Sequence, residues 1–196
     1  DIFMDAYAGA AATSADTSRV ALIGASRMEA QSDTTGTTLS AGLRAGHIQR
    51  HGATSFGPMA SLDYVRTRTD GYNEQGAGAF NLSVADAAQT SVTSTLGAQI
   101  AHEVTAGDWD LAPYASAGWV HEFNGDAPTV TASFAGAPGA RFTTTGLARD
   151  TDWLRGGVGL TARFGDTALI NLGANTDIGR TDTSRTQLSL SLRAAF

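Results

Sequence analysis

The stretch that decides the fold is Thr186-Gln-Leu-Ser-Leu-Ser-Leu-Arg-Ala-Ala-Phe196, at the end of the sequence. Its residues alternate between apolar and polar, and successive side chains of a strand point to opposite faces. One face would carry Leu188, Leu190, Leu192, Ala194 and Phe196. The other would carry Ser189, Ser191 and Arg193. In a soluble sheet this strand would be an edge that needs protection, whereas in a barrel in lipid it would close the wall with Phe196 at the membrane interface.

The same two-residue period runs along the chain and predicts about nine strands. They cover residues 1–12, 18–31, 37–49, 56–70, 89–104, 109–123, 153–164, 167–177 and 186–196. Many reach the about 9 to 11 residues that a transmembrane strand needs, against roughly 5 to 6 for globular strands. Short turns are predicted at 13–17, 32–36, 105–108 and 165–166, and long connections at 71–86 and 124–150. The second connection contains strand-like pieces at 130–134 and 141–145. We therefore predict an all-β fold, an antiparallel up-and-down transmembrane β-barrel.

Aromatic residues stand near both ends of the predicted strands. Their spacing along a tilted strand corresponds to roughly 20 to 25 Å along the membrane normal, which is the separation of the two aromatic girdles of an outer-membrane barrel. The predicted girdle consists of Phe56, Tyr64, Trp109, Trp119, Trp153 and Phe164.

The opposite face of the strands is rich in Gly, Ser, Thr and charged residues, as a wet lumen requires. The charged residues predicted to face the lumen are Arg44, Asp63, Glu103, Glu122 and Arg163, together with Asp110, Asp177 and Arg193. They would form a wall that is solvated or held by salt bridges. A soluble sandwich would show the reverse polarity, with apolar residues inside and charges outside.

The composition of the chain limits the classes of function and partner that are expected. Charged residues make up 16% of the chain, against roughly 25% in an ordinary soluble domain. The net charge of −6 excludes nucleic acid as an expected partner, and the absence of Cys excludes disulfides and thiolate chemistry. No apolar run approaches the about 18 residues of a transmembrane helix. The chain starts at Asp1 in a strand-like pattern, so we expect a mature product or a fragment whose N-terminal part is missing.

The sequence contains no motif of a nucleophilic hydrolase, a zinc protease or a phosphate-binding loop. His102-Glu103 and His121-Glu122 are adjacent pairs, and neighbouring residues of a strand face opposite ways. We therefore predict no catalytic, metal-binding or cofactor-binding residues, no cofactor and no enzyme activity.

Several short motifs, taken in order, resemble one known family. They are Asp5-Ala-Tyr-Ala-Gly9, Gly57-Pro-Met-Ala-Ser-Leu-Asp-Tyr64 running into Gly71-Tyr72 and Glu74, Ser94-Thr-Leu-Gly97, Pro113-Tyr with Trp119-Val-His-Glu-Phe123, Phe134-Ala-Gly136 followed by Phe142 and Gly146, and terminal Phe196. The chain resembles the C-terminal translocator domain of classical monomeric autotransporters, the type V secretion system of Gram-negative bacteria. The chain departs from the family pattern in two ways. About nine strands are predicted, whereas family barrels have twelve and a helix threaded through the pore. The terminal strand has Ser191 where such proteins usually have Gly, and Ala194 where a larger apolar residue is common.

The resemblance implies one domain over residues 1–196, the C-terminal portion of a twelve-stranded barrel without its first strands. It also implies an outer-membrane translocator that anchors and helps export an N-terminal passenger domain. The implied partners are outer-membrane lipid, the barrel-assembly machinery, the protein's own passenger and a pore helix. Leu188, Leu190, Leu192 and Phe196 would form the assembly signal in the last strand.

Two alternatives remain at this point. One is an outer-membrane barrel enzyme, protease or phospholipase-like, with an active site at the rim. It needs a convergent Ser/His/Asp set, which the sequence does not assemble. The other is a soluble all-β adhesion or structural domain, which the inside-out polarity disfavours.

Overall fold

The structure, a computed structural model, describes residues 1–24, 26–165 and 167–194. Its strands are β1 (Ile2–Ile23), β2 (Ser26–His47), β3 (Gln49–His51), β4 (Thr54–Thr69), β5 (Tyr72–Asn73), β6 (Leu82–Val84), β7 (Ala87–His102), β8 (Val104–Ala106), β9 (Trp109–Glu122), β10 (Thr129–Phe134), β11 (Ala137–Thr145), β12 (Asp152–Phe164), β13 (Ala168–Ile178) and β14 (Thr186–Ala194). Within those residues, one 3₁₀ turn is present, at Gly78–Phe80. None of the described helical segments is long and apolar enough to cross a membrane.

Eight long strands form one antiparallel sheet in the order β1-β2-β4-β7-β9-β12-β13-β14. The long strands follow one another in the sheet in the same order as in the chain. The short strands β3 and β8 extend the pairing along β4 and β9. This is the up-and-down connectivity that the alternation predicts, and the sheet curls into part of a barrel. The tight turns need backbone in the left-handed region, and Gly107 and Gly165 supply it with φ of 63° and 50°.

The first hairpin corrects the predicted turns at 13–17 and 32–36. Strands β1 and β2 each run for 22 residues. Thr13 pairs with Gly36 and Thr17 with Ser32, and the turn comes only at Gly24, with φ of 59°. Ser, Thr and Asp in these segments have the composition of a turn, but a strand that extends into water is polar on both faces. The main sheet therefore has eight long strands instead of about nine.

The two long connections form a second, smaller sheet with the order β11-β10-β6-β5, which we call the loop sheet. Strands β5 and β6 come from the connection between β4 and β7, and β10 and β11 from the connection between β9 and β12. The strand-like pieces predicted at 130–134 and 141–145 are confirmed as β10 and β11.

The main sheet has one apolar face and one polar face. An outer row crosses seven strands through Met4, Ala45, Ala60, Leu96, Trp119, Leu154 and Ile178. A second outer row contains Phe56, Ile100, Ala115, Val158, Ala174 and Leu188. Large side chains on this face are open, with Leu190 70% and Leu96 56% exposed. A soluble domain would bury such residues, whereas a barrel in lipid presents them outward.

Candidate functional site

The polar inner face is built from aromatic rings that pack on glycines. A Cβ added at Gly42 would overlap the Tyr7 ring, and one at Gly46 would overlap the Phe3 ring. Tyr114 occupies the space above Gly173, where an added Cβ would lie 2.7 Å from the Tyr114 hydroxyl oxygen. Glycine is needed at these positions because the rings come too close to the strand for any side chain.

Two polar contacts tie the first strands together on this face. Arg44 Nη2 donates to Asp5 Oδ2 at 2.9 Å, and the Arg44 guanidinium lies 5.6 Å from the centroid of the Phe3 ring. The Tyr7 hydroxyl donates to Asp63 Oδ1 at 2.9 Å. Arg44 and Asp63 therefore lie on the polar face of the sheet, and each has a polar partner.

Glu122 lies at the end of β9 and is almost fully buried. Its carboxylate accepts hydrogen bonds from the Ser91 hydroxyl, from the Val92 amide at 3.0 Å and from the Asn124 amide at 2.9 Å. Arg149 lies 3.8 Å away. This carboxylate fixes the start of the β9–β12 connection.

The remaining predicted lumen charges lie apart from these. Glu103 is exposed at the break between β7 and β8, where its amide donates to the Ala53 carbonyl at 2.8 Å. Arg163 is exposed on β12, opposite Asp110 of β9. Arg44, Asp63, Glu103, Glu122 and Arg163 are therefore distributed along the sheet and form no single cluster.

A charged cluster that the sequence reading did not single out as a unit closes the ends of β12 and β13. Arg155 Nε donates to Asp177 Oδ1 at 2.6 Å, and Arg180 Nη1 lies 3.5 Å from the same carboxylate. In the following loop, Arg180 Nη2 donates to Asp182 at 2.7 Å and lowers the pKa of Asp182 to about 2. Arg155 and Arg163 are both odd-numbered residues of β12 and therefore lie on the same face, so the alternation also predicts an inward side chain at Arg155. Arg180 and Asp182 lie in a loop, where no periodicity exists to find them.

Five of the six predicted girdle residues are exposed large aromatics: Phe56, Tyr64, Trp109, Trp119 and Phe164. Trp153 is the exception, because it is buried opposite Val120 and its ring lies 4.3 Å from the Arg180 guanidinium. Leu154 takes the outer position beside Trp119, so Trp153 points inward. Trp153 is an odd-numbered residue of β12 and Phe164 an even-numbered one, so their side chains lie on opposite faces and cannot both belong to an outward girdle.

The loop sheet is joined to the far end of the first hairpin by an ion pair. Arg19 Nε donates to Glu74 Oε1 at 2.9 Å, and Arg19 Nη2 donates to the Phe80 carbonyl at 3.0 Å. Glu74 also accepts from the Leu82 amide at 2.7 Å. The hydrogen bond from Arg19 lowers the pKa of Glu74, so the carboxylate stays ionised.

The adjacent pair His121 and Glu122 makes two separate sets of contacts. His121 Nδ1 lies 2.9 Å from Asp152 Oδ1 beside Trp119, whereas Glu122 contacts Ser91, so the two neighbours face opposite ways as the alternation predicts. In the described part of the chain, no group of three or more His, Asp or Glu side chains is placed to hold a metal ion.

Long antiparallel strands with an apolar outer face and a polar, charged inner face define a β-barrel domain of an outer membrane. The family model described as "Autotransporter beta-domain" matches residues 1–194, so the chain belongs to the autotransporter β-domain family. It is similar to the Esterase EstA of Pseudomonas aeruginosa, with 30% identity over 178 residues, which are 89% of this chain and 27% of that protein. The Esterase EstA of Pseudomonas putida shows the same identity and coverage.

Membership in this family defines the role and place of the domain. It is an outer-membrane β-barrel translocator of a Gram-negative bacterium and serves the export of a passenger domain. The chain spans 27% of the length of the curated relatives that it matches.

Proposed function

We propose that residues 1–196 form the C-terminal portion of the translocator barrel and that their polar inner face lines the path of an N-terminal passenger. The observation that carries this proposal is the separation of an apolar and a polar face across the main sheet, from the β1–β2 segments before residue 13 and after residue 36 to β14. An unfolded polypeptide that passes through the barrel along the inner face would contact Tyr7, Asp63 and Arg44 and their polar neighbours. Lipid would contact the rows of apolar side chains on the outer face.

The inner charges act as a solvated wall in this proposal. Arg44, Asp63, Glu103, Glu122 and Arg163 keep the path wet and hold neighbouring strands through contacts such as Arg44–Asp5. The occupant of the path after export is a pore helix of the same protein. Its polar side chains would replace water along this wall.

The outer face supplies the lipid and assembly contacts. The five outward aromatics would lie at the two membrane interfaces as the aromatic girdle. In the last strand, Leu188, Leu190 and Leu192 are exposed on one face, and β14 pairs only with β13 among the described strands. We propose that the barrel-assembly machinery recognises this edge by strand pairing, together with Phe196, which lies outside the described residues.

The domain itself has no catalytic role in this proposal. Both relatives are named esterases, and the chain matches only 27% of each. Any esterase activity of a longer protein would therefore belong to its passenger and not to residues 1–196.

The experiment uses the full-length protein with an epitope in the passenger. Outer membranes are isolated, and passenger exposure is measured by protease accessibility in intact cells. We expect the protein in the outer-membrane fraction, migrating heat-modifiably on gels, with the passenger at the surface. A protein that is soluble and monodisperse without detergent would contradict the proposal.

A further inference from the structure

We propose that Arg66, on the outward face of β4, binds a phosphate group of lipopolysaccharide, the glycolipid that forms the outer leaflet of a Gram-negative outer membrane. This inference rests on the proposed contact of the outer face with lipid. It goes further, because it assigns a headgroup site of defined chemistry to one side chain and to one leaflet.

Arg66 lies on the face of the sheet that carries the apolar rows. Strand β4 pairs with β2 and with β7 without a register shift over this stretch, so Ala60, Leu62, Tyr64 and Arg66 share one face. Ala60 belongs to an outer row, and Leu62 and Tyr64 are exposed large side chains. Arg66 therefore extends outward and not into the polar interior.

The position of Arg66 along β4 corresponds to the outer headgroup layer. Strand β4 leads into the long connection to β7, and the long loops of such barrels lie on the extracellular side. Arg66 follows the girdle residue Tyr64 by two positions, which is about 5 Å along the membrane normal in a strand tilted by about 40°. The polar layer outside the hydrocarbon is roughly 5 to 8 Å thick, so the guanidinium lies at the depth of the lipid phosphates.

The outward neighbours of Arg66 are uncharged. Leu39 of β2 and Thr90 of β7 lie opposite it on the two sides. The next outward row toward the membrane centre contains Tyr64 and, two strands away, Phe123, which are 37% and 59% exposed. The aliphatic part of Arg66 can therefore lie along apolar side chains while its charged end extends into the headgroups.

The protein leaves the charge of Arg66 without a counter-ion. In the described part of the chain, Arg66 forms no salt bridge, whereas Arg68, the next outward residue, lies 3.1 Å from Asp86 and 3.9 Å from Asp70. Arg68 thus balances the carboxylates at this end of β4. A phosphate is the counter-ion that suits Arg66, because a guanidinium binds two phosphate oxygens through parallel N–H groups.

The experiment measures binding of fluorescently labelled lipopolysaccharide to the full-length protein in detergent. A chelator removes divalent cations, which would otherwise link phosphates to Asp70 and Asp86. The comparison probes are the same glycolipid with its lipid A phosphates removed, and inorganic phosphate as a competitor. We expect removal of the phosphates to lower the affinity about fivefold or more, and inorganic phosphate at equal concentration to displace none of the glycolipid.

Variants at Arg66 test which side chain holds the phosphate. Arg66→Gln should lower the affinity about fivefold, which is the effect of one basic residue at a charged membrane surface. Arg66→Glu should lower it further, and Arg66→Lys should lose less than Arg66→Gln because the charge remains.

Arg27 provides the matched control. It is exposed on β2 and shares the odd numbering of Leu39, so it has the same outward orientation. It lies twelve positions beyond Leu39 toward the hairpin tip, about 30 Å farther from the membrane. Arg27→Gln should therefore bind the glycolipid as tightly as the wild-type protein.

A substitution at Asp86 should have the opposite effect. Asp86→Asn removes a negative charge beside the site and releases Arg68 from its 3.1 Å contact. We expect the affinity for lipopolysaccharide to rise about twofold to fivefold.

Three results would overturn the site: equal affinity of Arg66→Gln and Arg27→Gln, binding that does not depend on the lipid A phosphates, or displacement by inorganic phosphate, which would indicate a site for free anions. If Arg66→Gln does not give folded, heat-modifiable protein, Arg66→Lys and Asp86→Asn decide, and wild-type affinity of both would refute the proposal. Passenger display is measured for every variant. Normal display with a failed glycolipid site would leave the translocator role intact, whereas a wild-type protein without surface passenger would contradict the proposed function.

Discussion

Tyr114 of β9 packs directly on Gly159 of β12, so closely that a Cβ at Gly159 would overlap the Tyr114 ring. The Tyr114 hydroxyl reaches over Gly173 on the next strand, β13, where it lies 3.5 Å from the Leu172 carbonyl oxygen. One side chain thus spans three neighbouring strands, and the two glycines make room for it. Such a ring fills the inner face where the strands carry no side chains of their own, and it fixes their relative positions.

Gly159→Ala should therefore destabilise the barrel. The added methyl group would meet both the Tyr114 ring and the Leu172 carbonyl oxygen, and the backbone oxygen cannot rotate away. We expect a loss of about 1 to 3 kcal/mol, typical of overpacking, measured by urea unfolding of the folded protein in detergent or lipid. Gly139→Ala is the control, since no atom lies within 4 Å of its added Cβ. Equal stability of the two variants would contradict the packing described here.

Arg155→Ala should cost more than Arg44→Ala, although both remove one arginine from the inner face. Asp177, the partner of Arg155, is 2% exposed, whereas Asp5, the partner of Arg44, is 59% exposed. The first change leaves a buried carboxylate whose remaining cationic neighbours are Arg180, at 3.5 Å, and Arg185. We expect a loss of about 2 to 4 kcal/mol for Arg155→Ala and below about 1 kcal/mol for Arg44→Ala.

The same unfolding assay measures that ranking. A reversed order, with Arg44→Ala the more damaging variant, would mean that exposure does not decide the strength of these contacts.

The contact between Arg180 and Asp182 should make part of the stability depend on pH. Arg180 depresses the pKa of Asp182 from 3.8 to about 2 in the folded state. A depressed carboxyl pKa stabilises the fold above the unfolded value, and the contribution disappears as pH falls through the folded value. The stability difference between wild type and Asp182→Asn should be constant from pH 7 to about 5 and shrink between about pH 4 and 2. A difference that grows on acidification would contradict the ion pair.

The sequence predicts the architecture because an outer-membrane strand differs on its two faces. The alternation in β4, β9 and β14 is clear for that reason. It fails at residues 13–17 and 32–36, where the first hairpin is polar on both faces and the two-residue period gives no signal. Strands β5 and β6 are too short for any period, with two and three residues.

Contacts of the candidate site are harder to predict than the strands. Arg19 and Glu74 are 55 positions apart, and neither lies in a motif. Their pairing follows from the path of the β4–β7 connection along β2, which brings Glu74 within reach of the Arg19 side chain and which no local pattern encodes. Trp153 shows the opposite case, since parity along β12 is present in the sequence and already places it away from Phe164.

The outer face of β14 provides the sharpest test of lipid exposure. Leu190 is 70% exposed opposite Leu172, and its neighbour Ser191 lies on the other face opposite Asn171. In a membrane, Leu190→Arg would place a charge in the hydrocarbon at a cost of about 2 to 4 kcal/mol near the midplane. Ser191→Arg, one residue along the same strand, would face the polar interior and cost little. We expect a strong loss of folded, heat-modifiable protein in outer membranes for Leu190→Arg and near wild-type yield for Ser191→Arg. In a water-exposed sheet, Leu190→Arg would instead be neutral or improve solubility, so the two environments predict opposite outcomes for one substitution.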